Sequence, residues 1–356
     1  MTQGNATTDL KSHDFGGAAL DALASALAAH PASEGLTGDD LVPIRTRGLM
    51  HAHVRLKGRG KVLRIPRAGS FGMAPRENIA YQSACFDRAF PSGHVPERFV
   101  TLEPVPDIPW GALVIEEVAG DMPRLPADLG AVAEALAALH SLPVPGPAGR
   151  PPLLFHADPV GATVAVIEAQ AAYLERAMVG PDARRQLDEE IAWARAFAAR
   201  SAGTEQPVAL VGTDTHPGNF LVPRPGHAVF VDLEKMLYGS PAIDLAHASV
   251  YTSTMWDPQA ATALEDADVA AFYESYFAAV GSAAADRLRP WCTPLRRLTW
   301  LRTTTWCAKW RVESRDGAEW SAASHDPAYI AKVRARIADY FDPATVSRIR
   351  AGFSAL

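Results

Sequence analysis

The sequence predicts an α+β chain in two lobes, a small, mostly antiparallel β lobe followed by a larger, mainly helical one. Three observations carry this. Between 41 and 119, short runs such as "HVRL" and "KVLRIPR" alternate apolar and basic residues and are separated by the turn signal "KGRG". After Gly120 the apolar residues recur at helical spacing over long stretches, beginning with "PADLGAVAEALAALHSL". Two strand-like stretches interrupt those helices, "LVGTDTHPGNFLV" and "AVFVDLEKMLYGSPAIDLAH", and both place polar groups at the edge of apolar runs.

In chain order, residues 1–14 are polar and are expected to form a disordered tail. "GGAALDALASALAAH" reads as an amphipathic helix packed on the lobe that follows; it is too short for a bilayer and carries Asp21. Strand texture begins at Leu41. "APRENIAYQSACFDRAF" has helical spacing and inserts one helix after the third strand, and "RFVTLEPV" and "GALVIEEV" are strands again. Beyond Gly120, helices are expected at 126–142, 159–178 and 182–202, then from about 260 to the end. The predicted division is a tail at 1–14, a β-rich lobe with its leading helix at 15–119, and a helical lobe at 120–356. Two lobes create a cleft, the usual place for a small ligand.

Bulk properties narrow the function. A chain of 356 residues can build one or two cores, and 21% charged with 48% hydrophobic residues is ordinary for a soluble domain. The net charge of −6 argues against a general nucleic-acid binder. No signal peptide or membrane span is read. Cys85, Cys292 and Cys307 are few and widely spaced, so neither a disulfide framework nor a zinc site is implied, and a reducing cytoplasm is expected.

Chemistry concentrates in the two interrupting stretches. Asp214 and Asn219 lie five apart in a loop that Gly218 lets turn and Pro217 stiffens. Asp232 arrives from the next strand, with Glu234 two residues on. Asn219 and Asp232 offer hard oxygen ligands of the kind Mg²⁺ prefers, and Asp214 is left to orient or deprotonate a hydroxyl. Phosphoryl transfer needs that division of labour. Taken singly, Asp214 and Asn219 also read as turn residues and Asp232 as a strand-end cap.

"VGTDTHPGNFLV" followed by "VFVDLEKMLYGSPAIDLAH" resembles the catalytic signature of the aminoglycoside phosphotransferase and choline kinase family, over a match running from about 42 to about 310. The resemblance implies a protein-kinase-like fold. It also implies transfer of the γ-phosphoryl of ATP or GTP, with Mg²⁺, to a hydroxyl of a small metabolite, an aminoglycoside or an amino-alcohol-like acceptor. Asp214 falls on the catalytic Asp, Asn219 and Asp232 on metal ligands, Glu234 on a metal-supporting acid, and Asp244 on a brace of the loop. "LVIEEVAG" resembles the hinge, where Glu116 and Val118 would meet adenine through their backbones. His140, in the first helix of the second lobe, reads as a packing or capping residue.

Three departures stand out. The family's His-Gly-Asp appears as Gly212-Thr213-Asp214. Arg64 stands where such kinases have a phosphate-holding Lys, with Lys61 as fallback and Glu77 as the expected ion-pair partner. The phosphate-covering loop "RTRGLMHAHV" has one glycine, Gly48. These departures motivate an alternative, a catalytically silent nucleotide-binding module. A third reading, a metal-dependent hydrolase, rests on His51 and His53, which share one face of a strand. The six tryptophans between Trp256 and Trp320 form either a helical core or an aromatic wall for the acceptor, and the Arg-rich stretch 286–315 reads as a solvated face.

Overall fold

The computed structural model describes residues 17–28, 35–44, 50–106, 108–257, 260–317 and 327–353. The expected tail at 1–14, the loop at Gly48 and Trp320 lie outside the described residues. The described residues form two compact units: those up to Asp87 together with Pro96–Val118, and Arg88–Val95 together with those from Ala119 on.

The first unit is an antiparallel sheet with two helices. Strands β1 (Leu41–Ile44), β2 (His51–Leu56), β3 (Lys61–Pro66), β4 (Arg98–Leu102) and β5 (Ala112–Glu116) are ordered β1-β2-β3-β5-β4. The β2–β3 hairpin turns at "KGRG", where Gly58 and Gly60 take positive φ values of 70° and 60° that a side chain would resist. Alternate residues Ala52, Val54 and Leu56 of β2, Leu63 and Ile65 of β3 and Ala112 and Val114 of β5 share one core with Leu23, Ala24 and Leu27 of α1 (Gly17–Leu27). That period of two places Val62 and Arg64 on the other face. Helix α2 (Pro75–Ala89) buries Asn78, Ile79, Gln82, Cys85, Phe86 and Ala89, at helical spacing, and leaves Glu77 exposed in its first turn.

The second unit is helical around two short ribbons. Its elements are α3 (Leu129–His140), α4 (Pro159–Ala171), α5 (Pro181–Ser201), β6 (Ala209–Val211), β7 (Phe220–Arg224), β8 (His227–Phe230), β9 (Leu237–Gly239), α6 (Pro241–Ser249), α7 (Tyr251–Thr254), α8 (Asp266–Val280), α9 (Ser282–Arg315), α10 (Pro327–Tyr340) and α11 (Pro343–Gly352). Ribbon β6–β9 and ribbon β7–β8 are both antiparallel. The helix expected at 159–178 stops at Ala171, and turns fill 172–178. "AAYLERAM" contains no breaker, so its sequence reads on as helix; the signals that end the stretch are Gly180 and Pro181.

Helix α9 is the spine of this unit and packs on α4 and α6, while α3 packs on α8. Trp300, Cys307 and Trp310 are buried along it, so this part of the tryptophan cluster is core. The Arg-rich stretch is not merely a solvated face. Arg297 and Arg350 both ion-pair with the fully buried Glu190, and Arg296 donates to the Ser249 hydroxyl and carbonyl. Among the described residues no helix is long and apolar enough to cross a membrane. All three cysteines are buried free thiols.

Candidate active site

The segment 212–219 links β6 to β7, so its two ends are anchored in different ribbons. Its start is held by Asp244 in the first turn of α6. That buried carboxylate accepts the N–H of Gly212 (2.6 Å) and of Thr213 (2.8 Å), and the Asp244 carbonyl accepts the Thr215 hydroxyl (2.8 Å). His140, at the end of α3, places Nε2 3.1 Å from Asp244 Oδ2 and Nδ1 2.9 Å from the Tyr276 hydroxyl. An Nε2–H donating to the carboxylate leaves Nδ1 to accept from tyrosine. Burial pushes the Tyr276 phenol up, so it stays a donor. A buried carboxylate with this many donors is satisfied rather than stranded.

Thr213 has φ 60°, a left-handed conformation that a β-branched residue resists. Three contacts besides its N–H bond over-determine it. Its hydroxyl donates to the Lys235 carbonyl (2.9 Å), Arg302 Nη2 of α9 donates to its own carbonyl (2.8 Å), and Gly212 before it is pinned. The strain fixes the direction in which the next residue, Asp214, projects.

Asp214 is 24% exposed and receives Lys235 Nζ at 2.7 Å on Oδ2; His247 Nε2 lies 3.7 Å from Oδ1. Burial pushes this carboxyl up, but the Lys235 ammonium, by its charge and its hydrogen bond, holds it well below the usual carboxylate range. The histidines remain neutral: burial takes His216 down and His247 down to about 3, against the pull of Asp214. Lys235 is raised; Asp214 and Glu234 outweigh its burial.

The far end of the segment carries Asn219. Its Nδ2 donates to the Asp214 carbonyl (2.8 Å), and its own carbonyl accepts the Val231 N–H (2.9 Å) just past β8. Two bonds, Val231 N–H to Asn219 and the Thr213 hydroxyl to Lys235, thus lace the 212–219 segment to 231–235, the stretch that carries Asp232 and Glu234. Asn219 thus bonds both the Asp214 backbone and Val231, the residue before Asp232, which brings the three residues near one another. Glu234 is buried, its Oε1 3.8 Å from Lys235 Nζ. Asn219 Oδ1 and the carboxylates of Asp232 and Glu234 are hard oxygen donors, the type Mg²⁺ prefers. Sequence reasoning missed Lys235 and Arg302. The available signal was a lysine directly after Asp-x-Glu, which no periodicity marks.

In the first unit Arg64 is 2% exposed and its Nη1 donates to Gln82 Oε1 at 2.7 Å. The expected partner, Glu77, is a correction: it lies on the exposed side of the first turn of α2 and makes no ion pair among the described residues. Gln82, five residues on, occupies the helix face that meets Arg64. Lys61 lies on the opposite sheet face, its Nζ 4.2 Å over the Phe99 ring. The Glu116 N–H is taken by the Glu97 carbonyl (2.8 Å), and Val118 stands two residues past β5, partly exposed. His53 is buried, and burial with Arg64 and Arg67 takes it down to about 3.

A family model described as "phosphotransferase enzyme family" matches residues 51–291. Among solved structures, a choline/ethanolamine kinase family protein from Mesorhizobium loti is 19% identical with a TM-score of 0.62, covering 95% of this chain and 98% of that one. A macrolide 2'-phosphotransferase from Brachybacterium faecium is 18% identical at TM-score 0.52, covering 88% and 97%. A GDP and kanamycin complex of an APH(2'') enzyme is 12% identical at TM-score 0.54, covering 90% and 98%. At these identities the likeness is one of fold, protein-kinase-like, with an antiparallel sheet unit and a helical unit. No curated protein matches the chain.

Proposed function

The chain belongs to the phosphotransferase enzyme family, and from that premise we propose that it moves the γ-phosphoryl group of ATP or GTP, with Mg²⁺, onto a hydroxyl of a small molecule. The observation that carries this is the lacing of 212–219 to 231–235, which holds a carboxylate, Asp214, beside the oxygen donors Asn219 and Asp232. Mg²⁺, when bound, neutralises phosphate charge. Asn219 fits the role of ligand because its Nδ2 is committed to the Asp214 carbonyl, which fixes the side-chain amide beside the catalytic carboxylate. Asp232 is the second ligand, and Glu234 supports the metal.

Asp214 accepts the hydrogen bond of the acceptor hydroxyl. Its lowered pKa makes it a weak base, so it orients the hydroxyl first and takes the proton late, as the new P–O bond forms and the bond to the leaving nucleotide breaks. In the first unit, Arg64 takes nucleotide phosphate, held by Gln82, and the backbones of Glu116 and Val118 take the base. The neighbour solved with GDP puts the guanine nucleotides in the test beside the adenine ones.

For the acceptor, Trp306 lies one turn along α9 from Arg302, which bonds the loop, and its ring meets Trp256 edge-on at 5.5 Å. An aromatic surface there favours an amino alcohol or a sugar face. The buried free thiols fit a reducing cytoplasm.

The test is a thermal-shift and turnover panel of ATP, GTP, ADP and GDP with and without Mg²⁺, followed by a phosphate-transfer screen of hydroxylated amines, sugars and metabolites. Mg²⁺-dependent binding with transfer, both lost in Asp232→Asn, supports the reading. Nucleotide binding with no transfer to any acceptor or water points to the silent module. No nucleotide binding at all removes the assignment.

A further inference from the structure

Around Asp214 stand four basic side chains, and they are not equivalent. Arg302 is tied to the Thr213 carbonyl at 2.8 Å. His247 is nearly buried within α6, and His216 packs against it, ring centroids 6.2 Å apart. Lys235 differs from all three. It carries a permanent charge on an unbranched tether, 40% of its side chain is exposed, and its backbone is fixed to the loop by the Thr213 hydroxyl. Its Nζ sits 2.7 Å from Asp214 Oδ2 and 3.8 Å from Glu234 Oε1.

This position conflicts with a purely structural role. A half-exposed ion pair contributes little to folding, and here it occupies an oxygen that phosphoryl transfer needs. A base must lie within about 2.6–3.2 Å of the hydroxyl it serves, and the reacting phosphorus about 3–3.5 Å from that hydroxyl. Any phosphoryl group attacked by a hydroxyl on Asp214 therefore comes within one rotamer change of the Lys235 ammonium. Charge in that transition state is spread over the equatorial phosphoryl oxygens, and a compact ammonium is suited to follow it.

We propose that Lys235 is the cation that meets the transferred phosphoryl group, and that without a nucleoside triphosphate it covers Asp214 instead. The inference rests on the phosphotransferase reading above. In the step, the acceptor oxygen bonds to the γ-phosphorus, and the bond from phosphorus to the bridging oxygen breaks. The electron pair leaves with the nucleoside diphosphate, and the hydroxyl proton passes to Asp214. Lys235 stays protonated throughout and moves from the Asp214 carboxylate to the phosphoryl oxygens. A diphosphate has no γ-phosphoryl and leaves Lys235 on Asp214, so the residue distinguishes substrate from product nucleotide.

That distinction is the experiment. Dissociation constants are measured by calorimetry for the full chain with Mg²⁺ and either ADP or a non-hydrolysable ATP analogue, and in parallel with the guanine pair, for wild type, Lys235→Met and Lys235→Arg. Thermal melts report the fold of each variant. In wild type the triphosphate analogue should bind more tightly than the diphosphate. Lys235→Met should lose that preference by about tenfold or more while its diphosphate affinity stays within about twofold, and Lys235→Arg should keep most of it. A preference unchanged in a folded Lys235→Met variant overturns the proposal and leaves the phosphotransferase reading intact. Equal weakening of both nucleotides overturns it too, since it marks a structural lysine. If wild type binds neither nucleotide with Mg²⁺, both readings fall together.

Discussion

The ring of Phe230 lies directly against Gly212: a Cβ at residue 212 would stand 2.8 Å from Phe230 Cε1 and 2.7 Å from Thr215 Cγ2. Position 212 is where the family's loop pattern carries a histidine. Its absence is therefore not an empty place in the loop, because Phe230 and Thr215 fill the volume. The bracing falls to groups from elsewhere, Asp244 on the two N–H groups and His140 behind it.

Restoring the family residue should therefore harm this protein. Gly212→Ala overpacks a site walled by a ring and a buried threonine, which typically costs about 1–3 kcal/mol. Gly212→His should cost more and lower turnover, since Thr213 and Asp214 must shift. Denaturant unfolding of Gly212→His, Phe230→Ala and the double variant checks the cause. The double variant should recover part of the loss; strict additivity would show that the two positions do not share the space.

In the first unit, Gln82 and Glu77 separate two accounts of Arg64. Removing the acceptor of Nη1 in a buried guanidinium leaves that N–H unsatisfied, at about 1–3 kcal/mol. Gln82→Leu should therefore destabilise the protein by that amount and raise the nucleotide KM. Glu77→Ala, at an exposed helix position, should stay within about 0.5 kcal/mol of wild type with KM unchanged. The reverse pattern in the two variants would restore Glu77 as the partner.

Much of this was legible in the sequence, and for identifiable reasons. The β2–β3 hairpin announced itself through alternation around "KGRG", because a half-buried strand must alternate. Asp214, Asn219 and Asp232 stood out as polar groups in a loop and at a strand end, and the structure ties that loop to that strand end through the Asn219 and Val231 bonds. What failed depended on three-dimensional placement. Glu77 and Gln82 sit on one helix, and only the phase with which α2 meets the sheet decides which faces Arg64. Lys235 carries no pattern of its own; its importance lies in a contact across 21 residues of sequence. The tryptophans likewise divided into core at Trp300 and Trp310 and a half-exposed pair at Trp256 and Trp306, though all of them looked alike in the sequence.

The brace behind the loop should be graded. Tyr276→Phe removes one hydrogen bond from His140 and should cost about 0.5–1.5 kcal/mol with kcat reduced only modestly. Asp244→Asn removes a charge that accepts from Gly212, Thr213 and His140, where charge-assisted bonds contribute about 1.5–3 kcal/mol each. It should destabilise strongly and reduce kcat more than nucleotide affinity. Paired melts and steady-state kinetics check this; an Asp244→Asn variant with wild-type kcat would mean that the loop holds its shape without the brace.

The last prediction concerns Asp214 and pH. Its folded carboxyl lies below the ordinary carboxylate value, against burial and chiefly because of Lys235. A group lowered on folding contributes stability above its unfolded value, about 4, and loses it only as pH falls through the lower folded value. Lys235 is raised, so its contribution is complete below about pH 10 and is lost only as pH rises through a still higher value. The pair is thus ionised throughout, and between about pH 5 and 9 neither stability nor kcat should show a limb from Asp214 or Lys235. Asp214→Asn keeps the shape but removes the charge and the proton acceptor. Positioned acid–base groups contribute about 10²–10⁴-fold, so kcat should fall by that factor while the nucleoside diphosphate Kd with Mg²⁺ changes little. The measurements are a kcat–pH profile with an identified acceptor and calorimetric Kd values for both proteins. An acidic limb near pH 6 that disappears in the variant would show that Asp214 titrates as an ordinary general base. A kcat within a few-fold of wild type would reduce it to a turn residue.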